Sequence, residues 1–143
     1  MGVITAVTVV GSGLLAGVYT AFTVMVVPAL RRRPAAEAAA VMVEVNRVAE
    51  RGPFLVLFGG VAVAASALGV SAVGRGSVAE GAVALAALAG TVVTVAANVP
   101  LNRRLERGGA EAWHGYQRSW TRWNTVRAIA SGAAVVIAAV ARV

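Results

Sequence analysis

Uncharged, strongly apolar runs occupy residues 3–30, 53–74 and 81–101, and a shorter one covers 128–141. One helical crossing of a bilayer core needs about 20 apolar residues. The first three runs are long enough by themselves. The fourth becomes long enough when it starts near Trp123 and its Arg127 snorkels toward the headgroups. The pattern predicts an all-α integral membrane four-helix bundle: a single membrane domain over 1–143 with spans at 3–30, 53–74, 79–101 and 123–141.

The polar residues fall between these runs. After Arg33, Pro34 suits a first helical position, and residues 35–50 have a helix-forming, mildly amphipathic composition. They predict a short interfacial helix between spans one and two, closed by Gly52-Pro53. Gly74-Arg75-Gly76-Ser77 reads as a tight turn with Ser77 as N-cap of span three. No repeat, low-complexity tail or soluble domain stands out.

Charge then sets the orientation. Arg31, Arg32, Arg33, Arg47 and Arg51 lie between spans one and two; Arg103, Arg104, Arg107, Arg118, Arg122 and Arg127 lie between or beside spans three and four. The remaining connection has only Arg75. The positive-inside rule places both arginine-rich connections in the cytoplasm and both termini outside, in a plasma (inner) membrane. The net charge of +7 is thus read as topology rather than as a nucleic-acid footprint. The N-terminal run lacks a charged n-region and is too long for a signal-peptide core, so it is expected to remain as the first span.

Composition narrows the chemistry. Cysteine is absent, which removes disulfides, thiolate metal sites and cysteine nucleophiles. One histidine and scattered glutamates match no standard metal set, and phosphate loops, serine elbows and flavin or haem motifs are missing, so neither metal nor cofactor is expected. All basic residues are arginine and all acidic ones glutamate, which with the Ala, Val and Gly content suggests a bacterial source. Gly13 and Gly17, one helical turn apart, predict close helix packing in the first span, as do small residues such as Gly59, Gly60 and Gly90 elsewhere.

Candidate chemistry gathers at one end. Asn98 and Asn102 share a helical face around Pro100, where a missing amide loosens the ladder; they serve either helix termination and interhelical bonding or a ligand. Trp113, Tyr116, Trp120, Trp123 and Arg127 recur at helical spacing with Asn124 at the edge of the stripe. That stripe is either an interfacial aromatic belt or a stacking wall for a flat aromatic ligand. Arg127, inside the apolar run, calls for a partner, with Glu44, Glu50 or a ligand oxygen available. His114 is the only side chain whose ordinary pKa is near neutrality, and it is either an acid–base group or an ordinary interfacial residue.

These elements also resemble a known family. Gly13-Leu14-Leu15-Ala16-Gly17, Pro28-Ala29-Leu30, Val45-Asn46-Arg47 before Pro53-Phe54, Asn98-Val99-Pro100-Leu101-Asn102, and Trp113, Tyr116, Trp120, Trp123-Asn124 and Arg127 together look like the anthrone oxygenase-like family of small four-span membrane proteins. The resemblance implies an oxygenase that converts an anthrone to an anthraquinone with molecular oxygen and no classical cofactor. On that chemistry Asn46, Asn98, Asn102 and Asn124 are expected on substrate oxygens, with Trp113, Tyr116, Trp120 and Trp123 against its rings. Arg127 would then stabilise an enolate, and His114 or Glu44 would take the proton. The competing expectation is a non-catalytic membrane protein whose polar end assembles helices or holds a partner; a homo-oligomer is compatible with either.

Overall fold

A computed structural model describes residues 2–143, and its regular structure is helical, with no strand among the described residues. α1 (Val3–Ala21) passes through a π-helical turn (Phe22–Val26) into the short α2 (Val27–Leu30). α3 (Ala35–Ala49) and α4 (Pro53–Arg75) follow; α5 (Val78–Val93) then enters a second π turn (Thr94–Asn98) that leads into α6 (Val99–Ala141).

Three helical segments are long and apolar enough to cross a membrane: Val3–Leu30, Pro53–Arg75 and Val78–Ala141. The last has 64 residues, far more than one crossing uses, and it doubles back. Gly109 sits at φ 50°, ψ −131°, a conformation open to glycine and strained for other residues, and it separates two limbs of α6. Bonds between the limbs record the reversal: the Tyr116 hydroxyl donates to Asn102 Oδ1 (3.1 Å) and Asn98 Nδ2 to the Trp120 carbonyl (3.4 Å). The helix that carries the third apolar run therefore does not end at 101. The helix runs through Pro100 and both asparagines and breaks at Gly109, so the asparagines do not terminate it.

The π turns have a common cause. Pro28 and Pro100 lack the amide that would continue the regular ladder, and their rings crowd the carbonyl one turn back. The chain widens just before each: Val27 N–H bonds Phe22 O, and Val99 N–H bonds Thr94 O, five residues back. Both sites carry Val-Pro-x-x-Arg-Arg, at residues 27–32 and 99–104. This is a short repeat that inspection of the sequence passes over, because only four of its six positions agree and the flanks differ.

α3 is a helix of its own, set off from α2 by residues 31–34. Its Ala38, Ala39 and Met42 pack with Val27, Leu30, Leu105, Trp113, Tyr116 and Trp120. At the opposite end of the molecule Gly76, at φ 67°, closes α4 and Ser77 Oγ accepts the Glu80 amide at the start of α5. A second core there is built of smaller side chains, Leu15, Val61, Ala65, Leu68, Val83, Ala84, Ala87, Ala134 and Ala138 among them. Apolar side chains such as Val56, Val63, Val70 and Val73 face outward, the arrangement that a lipid solvent permits.

In the first span the close helix approach is not at the predicted Gly13 and Gly17; of the glycines predicted elsewhere, Gly90 is such a point and Gly59 and Gly60 are not. A Cβ on Gly17 would meet nothing within 4 Å, and on Gly13 only Val135 Cγ2 at an ordinary 3.6 Å. At Gly11 it would lie 2.4 Å from Val61 Cγ2, and at Gly90 3.0 Å from Ser131 Oγ. The reason is rotational. The buried face of α1 is Thr5, Thr8, Gly11, Ser12, Leu15 and Tyr19, and Gly17 lies off it.

Candidate functional site

Where the π turns interrupt α1 and the α5–α6 segment, the helices part around a cavity of about 150 Å³. Its walls are mostly apolar, with Phe22, Phe54, Phe58 and Trp120 supplying the rings. Leu55 at its rim is 49% exposed, so the cavity opens on an apolar flank of the bundle.

Arg127 is its charged wall. Only 7% exposed, it has no carboxylate within ion-pair distance among the described residues, so neither Glu44 nor Glu50 is the partner expected for it. Its Nε and Nη2 instead donate to Asn124 Oδ1 (3.0 and 2.8 Å), and Nη1 donates to Thr94 Oγ1 (3.2 Å). The guanidinium also lies over the Tyr19 ring at 4.0 Å and near Trp120 at 5.3 Å. An arginine at the centre of a span costs about 3 kcal/mol. Charge-assisted bonds of about 1.5–3 kcal/mol each, with cation–π contacts, offset that cost without neutralising the charge. A positive site therefore persists at the cavity wall.

Asn124 holds this arginine in place. Its Nδ2 donates to the Tyr19 carbonyl (2.7 Å) and to Thr23 Oγ1 (2.8 Å), at the junction where α1 gives way to its π turn. Thr94, in the other π turn, donates its hydroxyl to Gly90 O (2.9 Å) while accepting from Arg127. The two interrupted helices and α6 thus converge on one guanidinium.

Four polar atoms on residues around the cavity make no hydrogen bond of ordinary geometry, although Thr94 lies near the Tyr19 phenol and the Tyr116 phenol near the Asn46 amide. Tyr19 Oη, Asn46 Nδ2, Asn98 Oδ1 and Trp120 Nε1 are buried and unbonded among the described residues, and all four residues line the cavity. Leaving a polar group in this state costs about 1–3 kcal/mol. One such atom is a packing accident, and Ser12 Oγ, elsewhere on α1, is an example. Three donors and one acceptor on residues around one apolar space are groups that a bound molecule with complementary polar atoms would satisfy.

The sequence candidates separate accordingly. Asn46, Asn98, Asn102, Trp120 and Arg127 line the cavity. Trp113 and Tyr116 stand behind Trp120 in a row of rings, with centroids 5.9 and 6.2 Å apart, and Phe22 continues the row at 5.7 Å. The Tyr116 phenol donates to Asn102. Trp123 does not join the row: it is 45% exposed, whereas Asn124, expected at the edge, is fully buried. The two differ by 100° around the helix, and the buried sequence 113, 116, 120, 124, 127, 131 takes Asn124 inward. Glu44 and His114 are exposed and line no part of the cavity. Among the described residues no three His, Asp or Glu side chains gather as a metal site.

Sequence reasoning missed Tyr19, Phe22, Phe54, Phe58 and Thr94 as cavity residues. A phenol at mid-span and Phe54 and Phe58 four apart were available signals; the widening that brings Phe22 and Thr94 inward left only its prolines as a trace.

Fold and site together define an all-helical protein of multi-pass membrane type with a polar-studded aromatic cavity at one end of the bundle. The chain belongs to the anthrone oxygenase family, whose sequence model matches residues 46–137, a stretch that contains Asn46, Asn98, Asn102, Trp120 and Arg127. No curated protein and no solved structure matches it.

Proposed function

We propose that this protein binds a small hydrophobic aromatic compound in the cavity and oxidises it with molecular oxygen, in a reaction of the anthrone-to-anthraquinone type. The observation that carries the proposal is the set of four buried polar atoms without a hydrogen bond of ordinary geometry, on residues that line one ring-lined space beside a buried cation. Membership of the anthrone oxygenase family supports the reaction class.

An anthrone is a flat ketone with an acidic methylene, and its enolate is electron-rich enough to react with dioxygen directly. The protein then has to bind, deprotonate and shield. Trp120 and Phe22 stack on the rings, while Tyr19, Asn46 and the Trp120 indole donate to substrate oxygens and Asn98 accepts from a phenolic hydroxyl. Asn102 borders the same space. Arg127, oriented by Asn124, stabilises the charge that develops on the enolate oxygen. Trp113 and Tyr116 support Trp120 from behind, and Trp123 anchors α6 at the membrane interface.

In the same proposal both limbs around Gly109 cross the membrane, giving four spans. α3 lies at the interface, and the arginine-rich end faces the cytoplasm. The bonds from Asn124 to α1 favour a second reading, in which the polar end merely assembles helices. That reading leaves the four unpaired atoms without a role.

Titration of the purified protein with a hydroxyanthraquinone, followed by tryptophan fluorescence, tests the binding step. Quenching that saturates and weakens about tenfold in Asn98→Ala, the loss of roughly one hydrogen bond, is the expected result. Absence of saturable quenching in the wild type, or an unchanged affinity in the variant, contradicts the proposed site.

A further inference from the structure

The cavity adjoins a second space of different character. A polar vestibule of about 190 Å³ is lined by Arg47, Arg51, Arg103 and Glu106, and it shares Asn46, Glu50 and Asn102 with the cavity wall. Those three residues are the partition between an apolar chamber and the arginine-rich end of the molecule.

Oxidation of a C–H acid needs a proton acceptor that meets the substrate and can exchange with water. The ionisable residues that line the cavity are Tyr19, Glu50 and Arg127. A phenol and a guanidinium are both protonated at neutral pH in their ordinary states, which leaves one side chain with a basic form available. Glu106, the other vestibule carboxylate, is occupied: Arg47 Nη2 and Nε bond its Oε1 at 2.7 and 3.0 Å. Glu50 has neither a hydrogen bond nor an ion pair from its side chain among the described residues. Its place follows from local structure, because it caps the C-terminus of α3 just before Gly52-Pro53 turns the chain into α4.

Resting on the function proposed above, we infer that Glu50 is the base that removes the substrate proton and passes it through the vestibule to solvent. The anionic carboxylate is at the wet side of the chamber and the Arg127 cation at its buried side. A substrate between them gives up its proton toward one and gathers enolate charge toward the other. The balance is complete with dioxygen as oxidant. The methylene C–H bond breaks and its proton goes to Glu50. The carbanion adds dioxygen and, once protonated, becomes a hydroperoxide. Loss of the second C–H proton with cleavage of the O–O bond leaves a C=O group and hydroxide. One of the released protons converts that hydroxide to water, so CH₂ and O₂ become C=O and H₂O.

The test separates deprotonation from oxidation. Under nitrogen, a simple anthrone is added to the detergent-purified protein at neutral pH, and the visible band of the bound enolate is recorded. Tryptophan quenching reports binding in the same sample. The wild type and Glu50→Asp are expected to give the band, and Glu50→Gln to bind with little change in affinity while losing most of it. On admission of oxygen, uptake in Glu50→Gln is expected to be about 100-fold slower. An equal enolate band in wild type and Glu50→Gln overturns the role of Glu50 and leaves the oxygenase proposal standing. Binding without enolate in the wild type overturns the inference as well. No binding of the anthrone by the wild type overturns the proposed function, and this inference with it. Glu50 is exposed and Gln preserves its size, so the comparison is between folded proteins.

Discussion

The same helices pack in opposite ways at their two ends. Toward Ser77, α1, α4, α5 and the last limb of α6 meet through glycine and alanine, and Gly11 leaves little room for a side chain. Toward the arginine-rich end, beyond the two π turns, the contacts are made by Trp113, Tyr116, Trp120, Phe22 and Met42, and a cavity with four unpaired polar atoms opens between them. Lipid supplies little hydrophobic drive for helix association, so the tight end must hold the bundle by close packing. The π turns are the boundary. By widening two helices just before Pro28 and Pro100, they release the second half from that constraint and turn Phe22, Thr94 and Asn98 toward the opening.

This division can be broken from either side. The largest effect is expected from Gly11→Val, because a β-branched side chain would be forced against Val61: about 3 kcal/mol of destabilisation, read as loss of folded protein in a thermal or SDS titration. Stability within about 0.5 kcal/mol of wild type would show that the tight end is not where the bundle is held. Trp120→Phe is expected to act on binding alone, weakening an anthraquinone about tenfold by removing the indole donor and part of the stacking surface. An equally large drop in stability would mean that the aromatic end is structural core. The smallest effects sharpen the boundary. Gly17→Ala should change stability by less than about 0.5 kcal/mol, since nothing lies near its Cβ. His114→Gln should leave oxygen uptake within about twofold of wild type, because the histidine lies outside the cavity. A large loss in His114→Gln would reopen the acid–base assignment.

Much of this was legible in the sequence. The apolar runs gave the all-helical membrane character, and the types and spacing of Asn98, Asn102, Trp120 and Arg127 singled out residues that do surround one space. Three things were not legible, each for a physical reason. A proline between two asparagines reads as the end of a helix, yet the chain widened by one residue and continued, so the end moved to Gly109. A stripe at spacings of three and four does not say whether position 123 or 124 turns inward; packing against α1, through Asn124 and the Tyr19 carbonyl, decides it. In the sequence Glu50 is only one of two glutamates available to Arg127, and the meeting of α3 with the first limb of α6 is what places it between the cavity and the vestibule.

The most direct test of the central claim is oxygen uptake by the detergent-purified protein with a simple anthrone, corrected for spontaneous oxidation and compared with Arg127→Ala. Uptake well above the spontaneous rate in the wild type, falling about 100-fold in a folded Arg127→Ala, is the predicted result. Uptake that does not exceed the spontaneous rate, or that is unchanged when Arg127 is removed, would contradict the account.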